Sequence, residues 1–201
     1  MFKIIKKTPP YFPKKAKTTP FWESFFEENL KKFFKEKPIL DSIFIHKEAF
    51  NVIKSHIGFG KDTQDNQVEQ GGLLFGEVIE YKNNEDESTK PKFIGIVNYA
   101  LAAKTAEGSM RHLHFNHTTW HSLLEEQEKI EEAESKKQLI GWYHTHPKHL
   151  EVYFSHIDKE NHLTFFDKEW HFGLVLNPQR KEIKCFLGND FEEVICILED
   201  I

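Results

Sequence analysis

Seven short apolar runs set between helix-period segments constrain this chain more than any other feature. The runs are Ile39 to Ile45, Gly71 to Tyr81, Phe93 to Tyr99, Leu139 to Tyr143, His171 to Leu176, Glu182 to Leu187 and Val194 to Leu198. Each is five to eleven residues long and bounded by turn formers or charge, the pattern of buried strands rather than of helices. Between them, Lys47 to Ile57, about Asn116 to Ser135 and His156 to Phe166 carry apolar residues at helical spacing. Strands interleaved with helices predict a single α/β domain built on a mixed β-sheet flanked by helices. At 201 residues and 39% hydrophobic, the chain has enough apolar material for one sizeable core. The loop YKNNEDESTKPK between the second and third runs reads as a solvated hairpin connection, and Ala100 to Phe115 as a mixed segment.

The first 38 residues differ from the rest. Residues 1 to 37 carry 10 Lys against 4 Glu, whereas the remainder carries 17 basic and 28 acidic residues, so the net charge of -5 joins a basic arm to an acidic body. Residues 1 to 18 are rich in Pro and Lys and read as an extended leader. Thr19 and Pro20 then open a predicted amphipathic helix over 20–36, with Phe21, Trp22, Phe25, Phe26, Leu30, Phe33 and Phe34 on its apolar side. Lys37-Pro38 ends it. Such an aromatic stripe needs a cover: the chain's own domain, a partner or a membrane surface. The domain boundary is therefore placed at 38, with residues 39–201 as one domain. No apolar run reaches the ~20 residues of a spanning helix, and Met1 to Phe12 lacks the apolar stretch of a signal peptide. A cytoplasmic protein is expected, with no membrane span and no nucleic-acid ligand. Cys185 and Cys196, the two cysteines, then read as small buried thiols of a reducing compartment rather than a disulfide.

Chemistry concentrates between residues 140 and 158, IGWYHTHPKHLEVYFSHID. His144 and His146 are two apart at a strand end, so their rings project to one side, and Pro147 stops the strand. Ser155 precedes a helix as a natural N-cap, with Asp158 at the third helical position. Two His and one Asp make three protein ligands for Zn²⁺ with a fourth position open, the arrangement of a catalytic rather than a structural site. By themselves, however, His-x-His reads equally as a surface or core pair, and Ser-x-x-Asp as a cap.

The spacing H-x-H-P-x7-S-x2-D resembles that of the JAMM metalloproteases, the JAB/MPN/Mov34 domain family, at every fixed position. Glu69-Gln70-Gly71-Gly72-Leu73-Leu74-Phe75-Gly76 resembles the family's upstream glutamate before a Gly-rich strand. Gly141-Trp142-Tyr143-His144, Phe154-Ser155 and Gly173 to Pro178 add to the likeness, which covers about Ile39 to Leu198. The resemblance implies one Zn²⁺ per chain on His144, His146 and Asp158. It implies that Glu69 is the base that deprotonates the attacking water and then protonates the leaving amine, and that Ser155 hydrogen-bonds the oxyanion. It further implies an isopeptidase acting on a ubiquitin-like protein or its conjugate, and the compact size suggests a stand-alone enzyme of prokaryotic style. An inactive scaffold of the same fold, or a zinc hydrolase of a small amide, are the alternatives. Of the other histidines, His112, His114, His117 and His121 crowd one segment without the H-E-x-x-H pattern and read as a polar surface or substrate groove. His149, His156 and His162 flank the site, and His162, one turn after Asp158, is placed either behind the ligands or toward solvent.

Overall fold

The predicted strands pair into one sheet that closes on itself. The computed structural model describes residues 14–16, 40–61, 67–81, 90–104, 107–108, 113–114, 119, 121–123, 125–126, 138–147 and 149–199. Its elements run β1 (Lys14–Ala16), β2 (Ser42–Ile45), α1 (Lys47–Ile57), β3 (Gly71–Tyr81), β4 (Lys92–Ala102), β5 (Glu107–Gly108), β6 (Leu113–His114), β7 (Gln138–Thr145), α2 (His156–Phe165), β8 (Phe172–Asn177), β9 (Glu182–Leu187) and β10 (Glu192–Leu198). The large sheet has the order β1-β3-β4-β2-β10-β9-β8-β7, and β7 returns to pair antiparallel with β3. Parallel pairs (β1 with β3, β2 with β4 and β10, β7 with β8) occur in the same sheet as antiparallel ones (β3 with β4 and β7, β9 with β8 and β10), so the expected mixed sheet is present. Ring closure removes the free edges that β3 and β7 would otherwise offer along their paired lengths.

Two apolar layers hold this sheet, one on each face. On one, α1 buries Ala49, Phe50, Ile53 and Ile57 against Ile43, Leu74, Phe172 and Leu174. The helix stops at Gly58, whose left-handed φ of 60° suits a residue without Cβ. On the other face Leu73, Phe75, Trp142 and Val175 pack with Val152, Phe154 and Phe166 from the segment around α2. Period-two alternation explains the division: Leu73 and Leu74, or Leu174 and Val175, face opposite ways.

Several boundaries move. Residues 40 and 41 precede β2 rather than belong to it, and β4 extends three residues beyond Tyr99 because Ala100, Leu101 and Ala102 pair with Leu74, Leu73 and Gly72. The rest of the mixed segment supplies β5 and β6, a small antiparallel pair. β7 runs through His144 to Thr145, two residues further than its apolar run, since cross-strand pairing to Gly71 continues past the last large apolar side chain. The leader contributes β1, paired parallel with Ile79–Tyr81 of β3, so the arm joins the domain's own sheet. The predicted amphipathic helix over 20–36, with its aromatic stripe, lies outside the described residues, as does most of the helix expected at 116–135; residues 121–123 of the latter are helical. Cys185 is buried and Cys196 half-buried, both free, and burial pushes the Cys196 thiol up to about 12. Among the described residues no helix is long and apolar enough to cross a membrane.

Candidate metal centre

Strand geometry sets the first two side chains. Trp142, His144 and His146 share the parity that faces α2, and the two imidazole centroids lie 5.2 Å apart. The third group arrives from the start of α2. Ser155 caps this helix in extended backbone (φ -69°, ψ 171°), and its Oγ accepts the Asp158 N–H at 3.2 Å. In return the Ser155 N–H donates to Asp158 Oδ2 at 2.7 Å. This reciprocal capping box locks the Asp158 rotamer. The local cap and the candidate ligand are therefore one structure, which is why sequence alone could not separate them.

The three groups converge. His144 Nε2 lies 3.1 Å from Asp158 Oδ1, and His146 Nε2 lies 3.7 Å from Oδ2. One ligand atom from each residue falls within a 4.8 Å cluster, and all three residues are buried. Ligands at 2.0–2.2 Å from a tetrahedral ion sit about 3.3–3.6 Å apart, and the two contacts, made to different oxygens of the Asp158 carboxylate, lie close to that range. His144 is fully buried, yet neither of its ring nitrogens makes a hydrogen bond. The 3.1 Å approach to Asp158 is thus close without hydrogen-bond direction, as befits two donors aimed at a common point. The donor set and its geometry fit Zn²⁺.

Supporting contacts fix the orientation of each ligand. His146 Nδ1 lies 2.6 Å from the Glu151 carbonyl oxygen, to which it donates, and this turns Nε2 toward Asp158. The loop bearing Glu151 is itself clamped. Fully buried Asn177, at the end of β8, donates to the carbonyls of Pro147 (3.2 Å) and Leu150 (3.0 Å). His144 stacks on Trp142 with centroids 4.7 Å apart and planes 17° from parallel. Trp142 Nε1 donates to His162 Nδ1 at 3.0 Å.

Electrostatics follow from burial and these contacts. Burial pushes the Asp158 carboxyl up, but the His144 and His146 rings and Ser155 outweigh it, and the carboxyl rests well below the usual carboxylate range. Burial opposes protonation of His146, whereas Asp158, the Glu151 carbonyl and the nearby Glu69 carboxylate favour it; the net shift is upward. Glu69 precedes β3 and is 3% exposed. Its neighbour Gln70 pairs with Thr145 in both directions: Thr145 N–H donates to the Gln70 carbonyl and Gln70 N–H to Thr145 Oγ1, each at 2.8 Å. Glu69 is in this way carried alongside His146 by the β3–β7 pairing.

The remaining histidines separate cleanly. His162 is buried behind the ligands, the first of its two expected placements. His156 is exposed and faces Glu160 at 3.2 Å, and His149 is exposed in a turn. His121 is exposed and faces Glu125 at 3.3 Å; the side chains of His112, His114 and His117 lie outside the described residues. Sequence reasoning did not single out Asn177, Glu151 or Trp142 for a role. Trp142 and Asn177 stood only within the stretches quoted for the family likeness, Gly141 to His144 and Gly173 to Pro178, with no role attached.

A family model described as JAB1/Mov34/MPN/PAD-1 ubiquitin protease matches residues 39–167, well over half of the chain. No curated protein matches the chain at a comparable standard.

Proposed function

Since the chain belongs to the JAB1/Mov34/MPN/PAD-1 family, we propose that it is a zinc-dependent isopeptidase that cleaves after the C-terminal tail of a ubiquitin-like protein. The observation that carries the reading is the convergence of His144, His146 and Asp158, with a buried carboxylate, Glu69, two residues before the adjoining strand and close enough to His146 to act on its charge. His144, His146 and Asp158 are the residues that would hold the ion. A bound Zn²⁺ supplies Lewis acidity and brings the pKa of water toward neutrality. Glu69 takes the proton from the attacking water and returns it to the leaving amine, a role suited to a carboxylate beside the ligands but not among them. The Ser155 hydroxyl, which uses a lone pair for its cap bond, keeps its O–H to donate to the oxyanion that develops on the scissile carbonyl.

The substrate class follows from shape. A peptide bond reaching ligands at a strand end, beside the first turn of α2, must arrive extended and slender. Tails ending in Gly-Gly meet that requirement. Extended tails bind by adding a strand to an exposed edge, and the segment Ala100 to Phe115 is the candidate edge. Ala100–Ala102 are already paired within the sheet, which leaves the part containing β5 and β6 for this role.

Purified ubiquitin-like fusions test the reading. A Gly-Gly junction is cleaved and a Leu-Leu junction is not. Equal cleavage of both favours a general peptidase; no cleavage of any tail by zinc-loaded protein favours the scaffold or small-amide reading.

A further inference from the structure

One buried polar group is not accounted for by the proposed reaction. His162, on the second turn of α2, has no exposed surface, and its ring lies among Phe154 (centroids 5.5 Å), Phe166 (5.8 Å) and Phe191 (6.0 Å). An apolar side chain would fill such a place at lower cost. An indole N–H only donates, so the 3.0 Å bond from Trp142 Nε1 makes His162 Nδ1 an acceptor and puts the ring's single proton on Nε2. That Nε2 is buried without a hydrogen-bond partner. A buried unmet donor costs about 1–3 kcal/mol. Packing alone does not explain a histidine here; the bond to Trp142 does.

Trp142 is held on both faces. Phe166 stacks on it with planes 8° apart and centroids 5.9 Å apart, and His144 stacks on it at 4.7 Å. Stacking sets the tilt of the indole, and the bond at its edge adds a directed contact in the plane of the ring. His144 has no hydrogen bond of its own to orient it, unlike His146 with its Glu151 carbonyl. Beside the approach to Asp158, the indole plane is the nearest ring contact of His144 among the described residues.

We propose that His162 is a positioning residue for the metal centre: by anchoring the Trp142 indole through its N–H, it fixes the plane against which the ligand His144 is set. This rests on the reading of His144, His146 and Asp158 as metal ligands. Groups that orient metal-ligating histidines are typically worth 10- to 100-fold in metal affinity.

Zn²⁺ affinity by chelator competition, together with the visible spectrum of the Co²⁺-loaded protein, tests this without any assay of cleavage. His162→Leu weakens Zn²⁺ binding about 10- to 100-fold and alters the Co²⁺ spectrum. His162→Asn, whose Oδ1 takes the place of Nδ1 as acceptor, restores both to near the wild-type values. Trp142→Phe, which keeps the stack and removes the N–H, weakens binding as His162→Leu does, and combining the two adds no further loss. It also serves as the test where His162→Leu folds poorly. Wild-type affinity and spectrum in both His162→Leu and Trp142→Phe overturn the inference. Failure of the wild-type protein to bind Zn²⁺ overturns the metal-centre reading itself.

Discussion

Ser155 caps α2, and in the proposed function it also donates to the oxyanion, two duties that a single substitution can separate. In Ser155→Ala the Oγ acceptor for the Asp158 N–H is lost, whereas the bond from the Ser155 N–H to Asp158 Oδ2 is made by backbone and survives. Stability therefore falls by only ~1 kcal/mol, the usual worth of an N-cap, while turnover falls roughly 10²-fold as an oxyanion donor is removed. Melting and kinetics on the same preparation check this; a large melting shift with unchanged turnover reduces Ser155 to a cap. Glu69→Gln differs in kind, because it replaces a base and no ligand. Cleavage is expected to drop on the order of 10²- to 10⁴-fold with the fold intact, and unchanged turnover contradicts the assignment. At this scale the sequence was informative: His144, His146, Ser155 and Asp158 lie within fifteen residues, and short spacing translates directly into strand parity and a capping box. Trp142, His162 and Asn177 were harder to read. Their roles depend on partners 20 to 30 residues away, and nothing local distinguishes an anchoring indole or amide from ordinary core.

Among elements, the pairing of β3 with β7 decides whether a base and a metal centre meet at all. Glu69 stands 75 residues before His144, and only the register Gly71 to His144 brings them together. Sequence pattern could identify both strands but not their partnership, since any apolar strand satisfies any other in burial. The second of the two glycines that open β3 has a steric cause. A Cβ on Gly72 would run into the Leu101 carbonyl of β4 and approach the Tyr143 ring of β7 to 2.6 Å. Gly72→Ala is thus predicted to force β3 away from its neighbours, costing about 1–3 kcal/mol as other overpacked sites do. The displacement reaches Glu69 along β3 and His144 through Tyr143, so turnover should fall with the melting temperature. Wild-type melting temperature and turnover together would refute this. The strand ends that moved, at β2, β4 and β7, share one reason: hydrogen-bond ladders continue or stop with their neighbours, not with the last apolar residue.

For the whole molecule, closure of the sheet was not legible in the chain, because a mixed order of parallel and antiparallel pairs depends on long-range contacts rather than on periodicity. One consequence of the closed core is acid sensitivity. Burial brings His162 down to about 3 and His171 down to about 4, against an ordinary value of 6.5. Between about pH 6.5 and 4 the unfolded chain therefore binds more protons at these groups than the folded one. Each can withdraw up to about 1.4 kcal/mol of stability per pH unit as pH falls through that window. His146, shifted upward, acts in the opposite sense, and its stabilisation is lost as pH rises instead. Asp158, held low, loses its contribution only below the window. Metal-free protein should thus melt at a lower temperature at pH 5 than at pH 7. His171 Nδ1 accepts the Lys168 N–H at 3.3 Å, and His171→Asn keeps an acceptor there without a titrating group. That variant should show a shallower loss; an unchanged slope would remove His171 from the account.

The central claim is that His144, His146 and Asp158 hold a metal and that Glu69 works beside it without holding it. Zinc content per folded chain tests this most directly. The account predicts one Zn²⁺ in the wild-type protein, one in Glu69→Gln and none in the double variant His144→Ala with His146→Ala. Zinc retained by the double variant, or lost from Glu69→Gln, would contradict it.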